Sequence, residues 1–313
     1  MYLRRAEELF TEPGSSLIRD PNDLRFKNVV VKDVSKCVSE NNVCIIGYPW
    51  DWNTAGDPGA RYAPSILRKY LYEYNIISLD KNINICDLGD VKIAPGDPLI
   101  SERRFEEALD ITQNICKRFI VLGGDHSLTK IVVKNILKKH DEIDLLIFDA
   151  HLDMRRLSEG KSSGTYLREV IEEFERRVNP IVIGYREHSN PMYMIDYAKE
   201  REVKLIDIDH VKKTFHEIHK EIMRYLKSNN IYISIDADVL DPSQCPGVNS
   251  ISPDGLFLRE LREMLRNIIS IQGVRILGAD IVEIVPKKDL GDLCIRNMAL
   301  ITLDLIKYFI TSG

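Results

Sequence analysis

Short apolar runs and amphipathic segments take turns along this chain, and that alternation restricts the fold more than any other feature. Runs at 43–47, 83–88, 119–122, 144–149, 180–184, 203–207, 231–236 and 274–281 are apolar and bounded by polar residues. That is the pattern of strands buried on both faces. Between them lie segments with helical spacing: Val211, Phe215, Ile218, Ile222 and Tyr225 over 211–226, and Leu258, Leu261, Leu265 and Ile268 over 256–269. The alternation predicts an α/β fold, a three-layer αβα arrangement around a mainly parallel sheet of about eight strands. No internal repeat or low-complexity linker interrupts the 313 residues. A single domain over 41–313 is therefore expected, with 1–40 as an arm packed on the body. In that arm Leu9-Phe10 and Leu17-Ile18 offer apolar contacts, and Pro13-Gly14-Ser15-Ser16 reads as a turn. The arm would cover either a sheet edge or a neighbouring subunit.

In open parallel sheets, ligands bind beyond the carboxyl ends of the strands. Three of the apolar runs end there in groups that carry chemistry. Leu145-Leu146-Ile147-Phe148 leads into Asp149-Ala150-His151-Leu152-Asp153, and Ile231–Ile235 leads into Asp236-Ala237-Asp238. Side chains two apart on an extended segment share a face. Asp149, His151 and Asp153 can thus converge on one point, as can Asp236 and Asp238. Phe119-Ile120-Val121-Leu122 is followed by Gly123-Gly124-Asp125-His126-Ser127, where the glycines permit a tight turn that delivers His126. Any one of these segments is ordinary loop chemistry, since an Asp after a strand often caps a helix and a lone His is often packed. Three at strand ends argue for a shared site. So many acidic and imidazole groups aimed at one place would repel unless cations sat among them. A carboxylate-rich N/O donor set suits manganese better than zinc.

These residues resemble the ureohydrolases, the family that includes arginase, agmatinase and formiminoglutamase. The resemblance rests on GGDHS at 123–127, DAHLD at 149–153, SIDADVLDP at 234–242 and DIVEIVP at 280–286. A weaker likeness lies in Pro58-Gly59-Ala60-Arg61 with Pro64 and Arg68. It implies two Mn2+ ions per subunit, one on His126, Asp149, Asp153 and Asp236, the other on His151, Asp149, Asp236 and Asp238. Asp149 and Asp236 would bridge. Two ions about 3.5–4 Å apart lower the pKa of a shared water toward roughly 7. The resemblance makes Glu283 the carboxylate that pairs with a small guanidino substrate, in the planar bidentate manner such groups adopt. Asp125 and Asp241 would orient ligands or bound water. It further implies homo-oligomers, trimers or hexamers.

Within the family the pattern is closest to agmatinase, which would make the reaction agmatine plus water to putrescine plus urea, a step of polyamine biosynthesis. No counterpart appears of the Ser/Asn-rich loop with which arginase holds the α-amino and carboxylate groups. Two departures bear on the substrate. Where many agmatinases carry His-Gly-Thr with a proton-shuttling His, this chain has Ser163-Gly164-Thr165, and a hydroxyl does not titrate near neutral pH as imidazole does. His188, in Arg186-Glu187-His188-Ser189 after another strand, is the substitute to test. Pro246-Gly247-Val248-Asn249-Ser250 stands where relatives usually have Gly-Thr-Gly-Thr. Formiminoglutamase, or another guanidino-acid hydrolase, is the alternative, and Arg155 and Arg156 could serve its anionic substrate. A reading of another class is a metal-binding protein with little or no turnover, because Ser163 replaces the shuttle.

Composition sets the remaining bounds. Hydrophobic residues make up 44% and charged residues 29%, so there is ample core for an ordinary globular chain. A net charge of −5 with interspersed signs argues against nucleic acid as the main partner. The six cysteines, Cys37, Cys44, Cys86, Cys116, Cys245 and Cys294, include no C-x-x-C pair, which disfavours structural zinc. Cys44 and Cys86 fall in apolar runs and read as core thiols of a cytoplasmic protein. Neither an apolar signal core nor a run of about 18 apolar residues is present. Tyr48–Asn53 carries both tryptophans after the first strand and would either line the site's mouth or pack. Ser252-Pro253-Asp254-Gly255 reads as helix caps.

Overall fold

The computed structural model describes residues 23–37, 43–75 and 85–311. Eight strands form one sheet: β1 (Val43–Tyr48), β2 (Ile85–Asp90), β3 (Arg118–Gly123), β4 (Ile143–Phe148), β5 (Val178–Tyr185), β6 (Lys204–Asp207), β7 (Asn230–Asp236) and β8 (Arg275–Val282). Their order is β2-β1-β3-β8-β7-β4-β5-β6, and every pairing is parallel. The helices are α1 (Ala63–Leu71), α2 (Pro98–Ile115), α3 (Leu128–Ile136), α4 (Tyr166–Phe174), α5 (Met192–Glu200), α6 (Ile208–Thr214), α7 (Ile218–Tyr225), α8 (Leu258–Ile269) and α9 (Leu293–Thr311).

Strand alternation splits the apolar residues into two cores. Val43, Ile45, Ile120, Leu122, Leu146, Phe148, Ile233 and Ile235 point to the face packed by α1 and α6–α9. Cys44, Ile46, Phe119, Val121, Leu145, Ile147 and Tyr232 point to the face packed by α2–α5. Both faces are covered, as a parallel sheet requires. The three αβα layers and all eight strands follow the sequence pattern.

Three expectations need correction. The 211–226 segment is two helices, not one. Thr214 donates its hydroxyl back to His210 O at 2.8 Å, a local bond that competes with helix continuation, and the chain turns before α7. Residues 252–255 do not cap α8: its N-cap is Phe257, whose N–H donates to Glu260 Oε2 at 2.8 Å. Gly255 instead donates to Asp241 Oδ2 at 3.2 Å. Finally, the cysteines are not separate thiols. Cys37 pairs with Cys86, Cys44 with Cys116 and Cys245 with Cys294, with Cα–Cα separations of 5.9, 5.9 and 4.0 Å. The partners lie 49, 72 and 49 residues apart, so no local spacing announces them, and cysteine usage no longer argues for a reducing compartment.

The apolar pairs and the turn at 9–18 in the arm lie outside the described residues. Its described part, 23–37, meets β2 at one residue: Val31 N–H donates to Ile85 O at 2.8 Å and Val31 O accepts from Asp87 N–H at 2.9 Å, while Phe26 and Lys27 N–H donate to Tyr74 O and Tyr72 O past α1. Phe26 is fully buried in the core. No helix among the described residues is long and apolar enough to cross a membrane.

Candidate metal centre

The sheet order sets β3, β8, β7 and β4 side by side, so the loops leaving their carboxyl ends meet. His126 comes from the loop after β3. Gly124 makes that loop possible, because a Cβ there would collide with the Trp50 carbonyl. Asp149, His151 and Asp153 follow β4; Asp236 ends β7 and Asp238 follows it. The structure brings all six together. His126 Nδ1 lies 3.2 Å from Asp149 Oδ2, 3.3 Å from Asp153 Oδ2 and 3.1 Å from Asp236 Oδ2. His151 Nδ1 lies 2.8 Å from Asp238 Oδ2 and 3.6 Å from Asp149 Oδ1. Two overlapping sets of donors result, His126/Asp149/Asp153 and Asp149/His151/Asp238, which share Asp149.

His126 is fitted to hold a cation. Its Nε2 meets Ser234 Oγ at 2.9 Å, and that hydroxyl donates to Asp280 Oδ1 at 2.6 Å. Thr129 Oγ1 donates to the other oxygen of Asp280 at 3.0 Å. With its proton committed to Asp280, the Ser234 hydroxyl accepts from Nε2–H. Nδ1 is then the nitrogen left for a cation among the carboxylates, the arrangement that orients a ligating histidine. Among the described residues His126 Nδ1 and Asp149 Oδ2 are buried without a well-formed hydrogen bond, which is costly unless something else satisfies them. The Tyr166 ring stacks on His126, centroids 4.1 Å apart.

The electrostatics point the same way. Burial and then the neighbouring Asp149 push Asp153 up to about 6. Burial, then Asp238 and Asp149, raise Asp236. Burial opposes charge on His151, but Asp238 and Asp149 carry it up to about 12. The carboxylates are too crowded to be comfortable without cations. An all N/O donor set of this kind fits manganese.

Glu283 stands above this group. It adopts φ +62°, and its Oε1 accepts from His126 N–H at 2.8 Å. Burial, then Asp125, pushes its carboxyl up to about 8. Asp153, at φ +47°, is likewise in the left-handed region; strain of this kind collects at functional sites.

The other candidates sit differently. Asp125 accepts from Asn53 N–H at 3.0 Å and from Ser127 N–H at 3.0 Å, so it ties the Trp50–Asn53 loop to the His126 loop. Asp241 accepts from Ser243 and Gly255 and closes its own turn. Ser163 is buried; its N–H donates to Asn53 O at 2.7 Å and its hydroxyl accepts from Ala55 N–H at 3.4 Å. His188 is exposed, 3.5 Å from Ser252 Oγ, with no bond to the metal-type donors among the described residues. Trp50 is buried and Trp52 is 44% exposed, so the loop both packs and faces outward. Asn249 bonds Thr54 and Asp57 O from the 246–250 segment. Arg61 pairs with buried Asp51, and Arg68 with Asp87 and Asp90; both brace loops. Arg155 is exposed, its stem along Gly164, and its guanidinium has no polar partner among the described residues. Arg156 lies 5.3 Å above the Tyr193 ring.

Sequence reasoning passed over Ser234, Asp280, Tyr166 and Asn190. Ser234 was detectable, since it lies two residues before Asp236 on the same face of β7. Tyr166 and Asn190 carried no local signal.

The family model described as the arginase family matches residues 41–310. A formimidoylglutamase of Halalkalibacterium halodurans is 31% identical over 278 residues, covering 84% of this chain and 86% of that protein. An agmatinase of Bacillus subtilis is 29% identical over 279 residues, covering 87% and 93%. Among solved structures, formimidoylglutamase from Bacillus subtilis superposes with a TM-score of 0.88 at 26% identity, covering 99% of both chains.

Proposed function

The chain belongs to the arginase family and is a hydrolase of amidino C–N bonds; from that premise we propose that its substrate is a small amidino acid, with N-formimidoylglutamate as the type. The observation that carries this is Arg155. Its exposed guanidinium lies two residues past Asp153 and beside the Ser163–Thr165 turn, without a carboxylate partner among the described residues. A substrate carboxylate would complete it as a bidentate pair. Agmatine, which the motif pattern places first, would bring an ammonium to the same spot and be repelled. Relatives of nearly equal identity bear both names, so identity does not choose between them.

His126, Asp149, His151, Asp153, Asp236 and Asp238 would hold two Mn2+ ions, with Asp149 and Asp236 shared. Bound there, the ions supply Lewis-acid activation of water. Glu283 accepts from the amidinium N–H groups and fixes the carbon over the donor cluster. Water adds to that carbon and the bond to the amino acid nitrogen breaks, so R–NH–CH=NH plus H2O gives R–NH2 plus formamide. Ser163 agrees with such a substrate. A formimidoyl carbon shares its positive charge with two nitrogens and a guanidinium carbon with three, so the former is the better electrophile. It needs less help from the imidazole that Ser163 replaces.

The test is turnover by manganese-loaded protein on N-formimidoyl-L-glutamate, agmatine, 4-guanidinobutyrate and arginine, with formamide, urea and amine products measured. The formimidoyl acid should give the highest kcat/KM. Agmatine as the best substrate would restore the agmatinase reading, and no turnover with metal bound would support a metal-binding protein.

A further inference from the structure

Arg186 and Asn190, in the loop after β5, contact neither the donor cluster nor bulk solvent: the arginine is wholly buried and the asparagine 8% exposed. Yet the Asn190 amide and, from Arg186, the backbone N–H and Nη2 reach the loops that carry donors. The Asn190 side chain makes three bonds to backbone. Its Nδ2 donates to Ala150 O at 2.9 Å and to Arg186 O at 2.8 Å, and its Oδ1 accepts from Leu152 N–H at 2.9 Å. Ala150 and Leu152 flank His151, so the amide brackets that residue from both sides. Arg186 donates its N–H to the same Ala150 O at 3.0 Å. Its Nη2 donates to Val239 O at 2.7 Å, one residue past Asp238, and its Nη1 to Gly184 O at 3.2 Å. Ala150 N–H in turn donates to Asp238 Oδ1 at 3.1 Å. The β4 loop and the β7 loop are thereby clamped to each other through the β5 loop. Room for the guanidinium comes from Gly255, where a Cβ would overlap Nη2.

We propose that Arg186 and Asn190 are positioning residues that set the spacing of His151 and Asp238, and so the affinity of the ion these two would hold. An apolar side chain would fill the Arg186 site at less cost, because a buried charge without a direct partner is unfavourable. Arg186 forms no ion pair among the described residues and its Nε is unpartnered. Its charge is instead opposed at a distance by Asp238, Asp149, Asp236 and Asp241, and three of these are donor residues. A guanidinium held rigidly behind the cluster balances those carboxylates while leaving their oxygens free for cations. Outer partners of this kind typically contribute 10–100-fold in metal affinity.

The inference rests on the two-ion reading above, and its test keeps the two apart. Mn2+ is titrated calorimetrically into full-length metal-free protein, wild type and variants, with thermal melting of each metal-free form. Asn190→Ala should weaken one of two ions by about 10–100-fold and leave the other near its wild-type affinity. Asn190→Asp, isosteric but without the two donors, should do the same. Arg186→Lys, which keeps the charge, should be milder than Arg186→Met. If wild type binds two ions and both Asn190 variants bind them equally well, this inference falls alone, whatever their melting temperatures. Unfolding of both Asn190 variants without metal would also overturn it, since the amide would then serve the fold. A wild type that takes up no manganese overturns the two-ion reading and this inference together.

Discussion

The backbone N–H of His126 donates to Oε1 of Glu283 at 2.8 Å, so the carboxylate that would face the amidinium rides on the loop that delivers a metal-type donor. Glu283 N–H also donates to Gly124 O at 2.9 Å. The two loops are bonded to each other in both directions, so a substrate held by Glu283 would be registered against the cluster.

Replacing Glu283 by Gln keeps an oxygen for the His126 N–H and removes the charge. Losing one partner of a buried, hydrogen-bonded charge pair costs about 2–5 kcal/mol. Glu283→Gln should therefore lower kcat/KM by roughly 10²–10³-fold on the best substrate. Manganese content should stay at the wild-type value. Parallel kinetics and elemental analysis check both halves. A fall in metal content would assign Glu283 to the metal site instead.

The protein should bind about two manganese ions per chain after dialysis against Mn2+. Asp236 lies 3.1 Å from His126 Nδ1 and accepts from Asp238 N–H at 2.8 Å, so Asp236→Ala should disturb both ions. Asp238→Ala should release mainly the ion on the His151 side, because Asp238 contacts His151 and belongs with it and Asp149 to one donor set. Equal, mild losses in the two variants would contradict the assignment.

The fold and the donor cluster were legible for the same reason. A parallel strand buried on both faces is an uninterrupted apolar run, and its carboxyl end is where the run stops; DAHLD and DAD sit at such stops. What remained hidden depends on contacts between distant segments. Cys44 faces Cys86 in register, yet it pairs with Cys116 just past the end of α2, and no spacing rule yields that. Ser163 was read as a missing shuttle from its place in a motif. Only the fold shows it holding the 53–55 backbone. Asn190 was invisible because it acts through carbonyl and amide groups of other residues, which carry no sequence at all.

Arg155→Gln should raise KM for N-formimidoyl-L-glutamate about 10–100-fold, since a hydrogen bond to a charged group is worth about 1.5–3 kcal/mol. kcat should change little, because the carboxylate lies away from the reacting carbon. Activity on agmatine should not fall. Steady-state kinetics on both substrates decide this, and an unchanged KM for the acid would remove Arg155 from the substrate site.

Two glycines should respond differently to Ala. At Gly124 the new Cβ meets the Trp50 carbonyl, backbone against backbone, and neither can yield without moving His126. At Gly291 the space is open and only φ +62° is at stake, a penalty of about 1–2 kcal/mol. Thermal melting of the metal-free proteins should show a much larger loss for Gly124→Ala. Comparable melting temperatures would mean that the Trp50 loop adapts freely.

Ser163 yields the sharpest test of how this site moves protons. Its hydroxyl accepts from Ala55 N–H, and only the likeness of Ser163-Gly164-Thr165 to His-Gly-Thr assigns it the shuttle's place, while His188 lies exposed against Ser252. General acid–base help is typically worth about 10²–10⁴-fold. If the formimidoyl carbon needs little of it, Ser163→Ala and His188→Ala should each leave kcat on the formimidoyl acid within about threefold of wild type. The less electrophilic guanidinium carbon of 4-guanidinobutyrate does need it. Ser163→His should then raise kcat on that substrate with little change in KM, because a shuttle acts on the reaction and not on ground-state binding. The imidazole would also displace the contact with Ala55, so thermal melting must accompany the kinetics. A large loss in His188→Ala on the formimidoyl acid would make His188 the working shuttle. That would require the 187–189 turn to swing from Ser252 toward the cluster when substrate binds.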